Sequence, residues 1–190
     1  QPTRTPRPFD AARDGLAIAE GAGVTVLEAS GYARSRGASV LGRVLGYGTN
    51  CHSGHISDPD PGVMAQCMAE AVADAGLTTG DIDYLNAHAT GTAVGDRSEA
   101  EAVGRLFGDR VPVSSLKGHM GHTLAACGAI EVIACLEMLR GQYVIGTRNL
   151  DSPDPACACC RLVDAPVVAM HMAHVLSCSF AFGGVNAALV

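Results

Sequence analysis

Three turns in this chain gather histidine, lysine, threonine and glycine in patterns suited to a reactive site. Residues 86–92 read Asn-Ala-His-Ala-Thr-Gly-Thr, residues 117–122 read Lys-Gly-His-Met-Gly-His, and residues 180–186 read Phe-Ala-Phe-Gly-Gly-Val-Asn. Each follows a run that reads as a strand, and strand ends are where α/β proteins place their sites. One histidine after a strand is usually a hydrogen-bonded structural residue. Two of them, His88 and His122, each in a glycine-containing turn, point instead to catalysis. The Gly183-Gly184 pair suggests a backbone open to a ligand, because missing side chains allow close approach.

The elements that must position these turns follow from periodicity and punctuation. Short β-branched runs predict strands at 23–28 and 40–47, with a short helical turn between them. A polar loop at 49–61 leads to a helix at 62–75, stopped by Gly76. A strand at 82–88 runs into the first polar turn, and a helix at 96–106 follows it. A strand at 111–115 leads to the glycine-rich turn 117–121. A long helix is expected at 123–140, carrying Ala125, Ile130, Val132, Ile133, Leu136 and Leu139. Residues 151–167 read as a Pro/Asp/Cys loop, and 174–180 with 185–190 as a strand pair around the third turn. Alternating strands and helices imply a parallel or mixed sheet covered by helices.

Composition narrows the classes. Of 190 residues 48% are hydrophobic and 17% charged, with 23 Gly and no Trp, which reads as a heavily buried α/β body. A net charge of −6 with 13 Lys and Arg gives no basic footprint for nucleic acid. No apolar run approaches the roughly 20 residues needed to span a bilayer. Eight cysteines at irregular spacing read as reduced, mostly buried thiols, and the expected compartment is the cytoplasm. Cys157-Ala158-Cys159-Cys160 lacks the second pair that a tetrahedral zinc site needs, and His171 with His174 lacks a third ligand, so no metal site is expected. The first eight residues hold three prolines and no initiator Met, which reads either as a chain starting in the middle of a longer one or as a trimmed flexible tail.

The three turns, in this order, resemble the carboxy-terminal active-site motifs of the β-ketoacyl synthases: Asn-Ala-His-Gly/Ala-Thr-x-Thr, Lys-x-x-x-Gly-His and Phe-Gly-Phe-Gly-Gly-x-Asn. Arg7-Pro8-Phe9-Asp10, Arg13-Asp14-Gly15 and Glu20-Gly21-Ala22-Gly23 resemble the family's mid-chain segment. The resemblance implies an α/β thiolase-like fold, mostly its carboxy-terminal half, with a mixed sheet layered with helices. Residues 1–45 would end the amino-terminal half, and 46–190 would form the carboxy-terminal half.

By the same resemblance the reaction is decarboxylative Claisen condensation, in fatty acid or polyketide biosynthesis. His88 and His122 would hydrogen-bond the malonyl thioester oxygen. Lys117 would stand behind them, held by Glu131 or Glu99, and Phe182 would supply an oxyanion-hole N–H and a gating ring. Thr90 and Thr92 would bind the phosphopantetheine arm beside the Gly183-Gly184 backbone. Asp96, Glu99, Glu131 and Asn186 would give structural support, with Asp96 near its helix start as a cap or dipole partner. No bound cofactor is implied, since the substrates travel on the phosphopantetheine of acyl carrier protein.

The family's nucleophile sits in a Thr-Ala-Cys-Ser-type turn, and no such turn occurs here. Cys51, Cys127 and Cys178 are not expected to replace it, because a reactive thiolate needs an activating environment. The chain alone is therefore expected to be inactive. Its expected partners are the Cys-bearing amino-terminal half, acyl carrier protein and a dimer mate. His55 fits the family pattern, whereas His52 stands where relatives often carry Asp. The alternative reading is a non-catalytic partner resembling a chain-length factor.

Overall fold

A computed structural model describes residues 6–54 and 57–190, with the backbone alone of Val168. The elements run α1 (Ser30–Ser35), β1 (Tyr47–Cys51), α2 (Pro61–Asp74), β2 (Tyr84–Asn86), α3 (Ala93–Phe107), β3 (Pro112–Ser114) and α4 (Lys117–Met120). They continue with α5 (Cys127–Gly141), β4 (Tyr143–Val144), β5 (Arg161–Leu162), β6 (Val167–Val168), β7 (Val175–Phe180) and β8 (Val185–Leu189). Six strands form one sheet in the order β1-β8-β7-β2-β3-β5. The pairs β1–β8 and β8–β7 are antiparallel, and β7–β2, β2–β3 and β3–β5 are parallel, so the sheet is mixed as expected.

Side chains alternate along a strand, and that alternation builds two cores. Leu85, Leu176, Cys178 and Phe180 pack with Met64, Met68, Val103 and Phe107 of α2 and α3 on one face. Tyr84 and Val175 face the other way, against Cys135 and Met138 of α5. Local chemistry sets the helix ends. Asp60 caps α2 by accepting from the N–H groups of Gly62 and Val63 at 2.7 and 3.0 Å, with Pro61 at the first helical position.

The parallel core explains why distant motifs meet. Asn86 at the end of β2 is in register with Ser114 at the end of β3 and with Ser177 of β7. The turns that follow all three strands therefore leave from one edge of the sheet, beside α5.

Two expected strands are not there. Residues 23–28 form no strand, and of 40–47 only Tyr47 belongs to one. The cause is their neighbour. The segment 21–42 touches α5 at its two ends, where a Cβ on Gly23 would stand 3.1 Å from the Ile130 backbone nitrogen and one on Gly42 would meet Leu136 at 2.3 Å. A helix offers no ladder to pair with, and Val24, Val26 and Leu27 stay 85%, 81% and 79% exposed. The short helix between them is present as α1. The long helix starts at Cys127 rather than at 123, because Leu124 takes a positive φ of 52° and residues Leu124–Ala126 form a separate 3-10 turn. The glycine-rich turn after β3 is a single turn of helix, α4, closed by Gly121 at φ 71°. Within the expected loop 151–167 lie a short 3-10 turn at Pro155–Cys157 and the edge strand β5.

Candidate active site

The three turns line one cavity of about 730 Å³, with His88, Thr90, Thr92, His122, Phe182 and Gly184 on its wall. The His88 and His122 rings meet edge to face, centroids 5.2 Å apart. Each is fixed through its backbone. Glu99 reaches up from α3 and accepts from the N–H groups of His88 and Ala89 at 2.8 and 2.7 Å, one per carboxylate oxygen. The Ser115 hydroxyl donates to the Ala89 carbonyl at 2.7 Å from the neighbouring strand end. At His122, the N–H of Leu124 donates to Nδ1 at 3.3 Å. That bond makes Nδ1 the acceptor, so the ring proton sits on Nε2 as a donor. Nδ1 of His88 is buried with no protein partner among the described residues.

Behind the rings lies a buried ion pair. Lys117 Nζ is 2.5 Å from Glu131 Oε1, and both side chains are fully buried. The sequence left Glu131 and Glu99 as alternative partners; the structure gives Glu131, on α5, and engages Glu99 with the His88 backbone instead. Burial drives His88 well below the ordinary imidazole range, and the Lys117 ammonium and the His122 ring push the same way. Burial and then Lys117 also lower His122. Both rings are thus held neutral. Burial pushes Glu131 up and Lys117 pulls it back, with burial the larger effect. Burial likewise raises Glu99 to about 8 against its two backbone donors, and Asp96 to about 6.

Asp96 lies in the first turn of α3 without capping it. Its carboxylate accepts from the Phe9 N–H at 2.8 Å and the Gly91 N–H at 3.1 Å, holding the threonine turn from behind. Thr90 and Thr92 share a hydroxyl–hydroxyl bond at 3.2 Å. Phe182 is 67% exposed at the cavity wall, on a 3-10 turn in which Gly183 and Gly184 have φ 81° and 75°. A Cβ on Gly184 would stand 2.3 Å from the His52 carbonyl. Asn186 is buried and donates to Asn50 Oδ1 at 2.9 Å, tying β8 to β1 below this turn. His55 lies outside the described residues.

Among the cysteines, Cys127 lines the cavity, and burial raises its thiol despite Lys117 nearby. Cys178 is fully buried and raised well above the ordinary thiol range. Cys51 is exposed, with Sγ 3.5 Å from the Gly183 carbonyl. Among the described residues, no group of three potential ligands is placed to hold a metal ion, and no helix is long and apolar enough to cross a membrane. Sequence reading missed Ser115 and Asn50, which carry no motif; the Ser115 hydroxyl donates to the Ala89 carbonyl and accepts from the Lys117 N–H, and Asn50 bonds Asn186.

A mixed α/β sheet carries two imidazoles and a buried lysine at one edge, an arrangement able to donate hydrogen bonds to an oxygen that gains negative charge. Comparison with known proteins gives the family. Residues 41–151 match the family model described as the beta-ketoacyl synthase, C-terminal domain, and the chain belongs to that family. It is 42% identical over 196 residues to 3-oxoacyl-[acyl-carrier-protein] synthase 2 of Rhizobium meliloti (strain 1021), covering 100% of this chain and 46% of that protein. The crystal structure of a beta-ketoacyl synthase from Burkholderia phymatum STM815 superposes with a TM-score of 0.91 at 40% identity, covering 98% of this chain and 46% of that one. A type II polyketide ketosynthase in complex with its acyl-carrier protein gives a TM-score of 0.92 at 32% identity, covering 98% and 47%. The chain spans about half the length of the curated relatives it matches, and its fold is that of the ketosynthases.

Proposed function

We propose that this chain supplies the malonyl-activating part of a β-ketoacyl synthase. The observation that carries the reading is the pair of imidazoles meeting edge to face, centroids 5.2 Å apart, on the wall of the cavity and backed by Lys117. In the reaction proposed, the C–C bond to the malonyl carboxylate breaks and CO₂ leaves. Its electron pair is left on the α-carbon and delocalised onto the thioester oxygen, where His88 and the Nε2–H of His122 donate. The carbanion then attacks an acyl thioester on a cysteine of the complementary segment. A C–C bond forms, the C–S bond breaks, and the cysteine leaves as thiolate. Preorganised donors aimed at such developing charge are worth roughly 3–4 kcal/mol each.

Thr90 and Thr92 would hold the phosphopantetheine arm, and Phe182 would gate the acyl channel. We assign acyl carrier protein and a dimer mate as partners, the first supported by the polyketide ketosynthase solved with its carrier. The eight thiols, free in this structure, suit the reducing cytoplasm we propose as compartment.

The test mixes the chain with its Cys-bearing segment and follows CO₂ release and condensation from malonyl- and acyl-carrier thioesters. The chain alone should form no cerulenin adduct and the mixture should form one. His88→Ala and His122→Ala should each slow decarboxylation by about 10²–10³. A mixture that neither traps cerulenin nor condenses would sink this reading. Full activity in both histidine variants would assign the chain to the chain-length-factor class.

A further inference from the structure

The two histidine turns are held by a segment that lies outside the matched family model. That model begins at residue 41, yet residues 9–19 run past both turns and bond to each. The N–H of Phe9 donates to Asp96. Arg13 donates from Nε to the Thr92 carbonyl at 3.2 Å, from Nη2 to the Ala93 carbonyl at 2.9 Å, and from Nη1 to the Asp10 carbonyl and Asp154 Oδ2 at 2.9 and 2.5 Å. Its side chain is only 5% exposed. The N–H of Gly15 then donates to the Gly91 carbonyl at 3.0 Å. Further along, the Ala17 carbonyl accepts from the His122 N–H at 2.7 Å, and the Ala19 N–H donates to the His122 carbonyl at 3.0 Å.

The fit is close at both ends. A Cβ on Gly91 would stand 2.9 Å from the Gly15 carbonyl, and one on Gly121 would stand 2.8 Å from the Ala19 methyl. One stretch of backbone thus touches the threonine turn after His88 and both peptide groups of His122. Residues 15–19 carry no polar side chain; the anchors lie upstream, in the buried Asp10 carboxylate, which accepts from the N–H groups of Ala12, Asp151 and Ser152 at 2.8 Å each, and in the Arg13 fork, clamped between the start of α3 and Asp154.

We propose that residues 9–19 are a positioning strap that sets the separation of the His88 and His122 turns, anchored at Asp10 and Arg13, with Arg13 the positioning residue that grips the threonine turn directly. Its mechanical part stands on the contacts alone; its catalytic consequence rests on the function proposed above. Arginine is needed for geometry as well as charge, because a lysine at this position keeps attraction to Asp154 but lacks the planar fork that reaches three carbonyls.

Site-resolved amide exchange by NMR on the full chain tests it, using Arg13→Ala, Arg13→Lys and Ala19→Pro, which removes one donor to His122. In Arg13→Ala the His122 amide should exchange about tenfold faster or more while the Val113 and Leu176 amides keep their protection. Ala19→Pro should shift the His122 ring signals with the Arg13 contacts intact, and Arg13→Lys should fall between wild type and Arg13→Ala. If Arg13→Ala does not fold, Arg13→Lys decides by the same comparison. Unchanged His122 protection, or an equal rise at every amide, overturns the strap. With the Cys-bearing segment added, decarboxylation kcat should fall about tenfold in Arg13→Ala and partly recover in Arg13→Lys. A wild-type mixture that does not decarboxylate counts against the proposed function, and the exchange data still decide the strap.

Discussion

Replacing Lys117 by Met should destabilise the fold strongly, and by an amount that depends on pH. The ammonium and the Glu131 carboxylate are 2.5 Å apart and neither is exposed. Removing one member of a buried pair leaves the other charge uncompensated, at a cost of about 3–5 kcal/mol. The protein can escape part of that cost by protonating Glu131, whose carboxyl is already raised by burial and held back chiefly by Lys117. With Lys117 gone the folded-state pKa rises further above the ordinary 4.5. The folded variant then binds a proton that the unfolded chain has released. Its deficit against wild type should therefore grow by about 1.4 kcal/mol per pH unit between the already raised Glu131 pKa of the wild type and the higher one of the variant. Urea unfolding of both proteins at pH 5 and pH 8 measures it. His88 and His122 titrate in the same direction once Lys117 is removed, so the double variant Lys117→Met/Glu131→Leu separates them: it should regain most of the stability at pH 8. A deficit equal at both pH values, or a double variant no better than the single one, would refute the reasoning.

Other outcomes follow from the same contacts. Burial raises Glu99 to about 8, so it favours folding below pH 4.5 and that contribution is lost as pH rises toward 8; Glu99→Gln should flatten a pH series of urea midpoints across this window. It also turns an amide NH₂ toward a backbone N–H of His88 or Ala89, costing about 1–3 kcal/mol. In NMR titrations the His88 and His122 rings should stay neutral below the ordinary 6.5, and both midpoints should move up in Lys117→Met. Gly183→Ala should cost about 1–2 kcal/mol from its positive φ alone, since nothing stands within 4 Å of the added Cβ. Gly184→Ala should cost more in a thermal melt, because its Cβ would also meet the His52 carbonyl.

Much of the site was legible because its determinants are short and local. The strand-turn patterns around His88, Lys117 and Phe182 each mark one sheet edge, and parallel pairing brings those edges together. Strand propensity misled at 23–28 because it reads a residue's own shape and not its neighbour: Val24 and Val26 suit a ladder, but the chain meets α5 at Gly23 and they stay exposed without one. The late start of the long helix was hidden because Leu124, an ordinary helix former, is turned to positive φ where its N–H meets the His122 ring. The choice of Glu131 over Glu99 depended on which sheet face each helix covers, a three-dimensional fact. The strap was least visible. Ala17 and Ala19 act through peptide groups that every residue possesses, so their identity carries no signal.

The dependence of both histidine turns on residues 9–19 bears on how such enzymes can be recombined. A crossover placed at residue 41, where the family model begins, would join the histidine turns of one parent to the strap of another. The sheet would be inherited whole, yet the distance between its two imidazoles would be dictated by a foreign backbone. Chimaeras that keep residues 9–19 with 86–122 should preserve that distance, which makes the exchangeable unit longer at its amino-terminal end than the family model suggests.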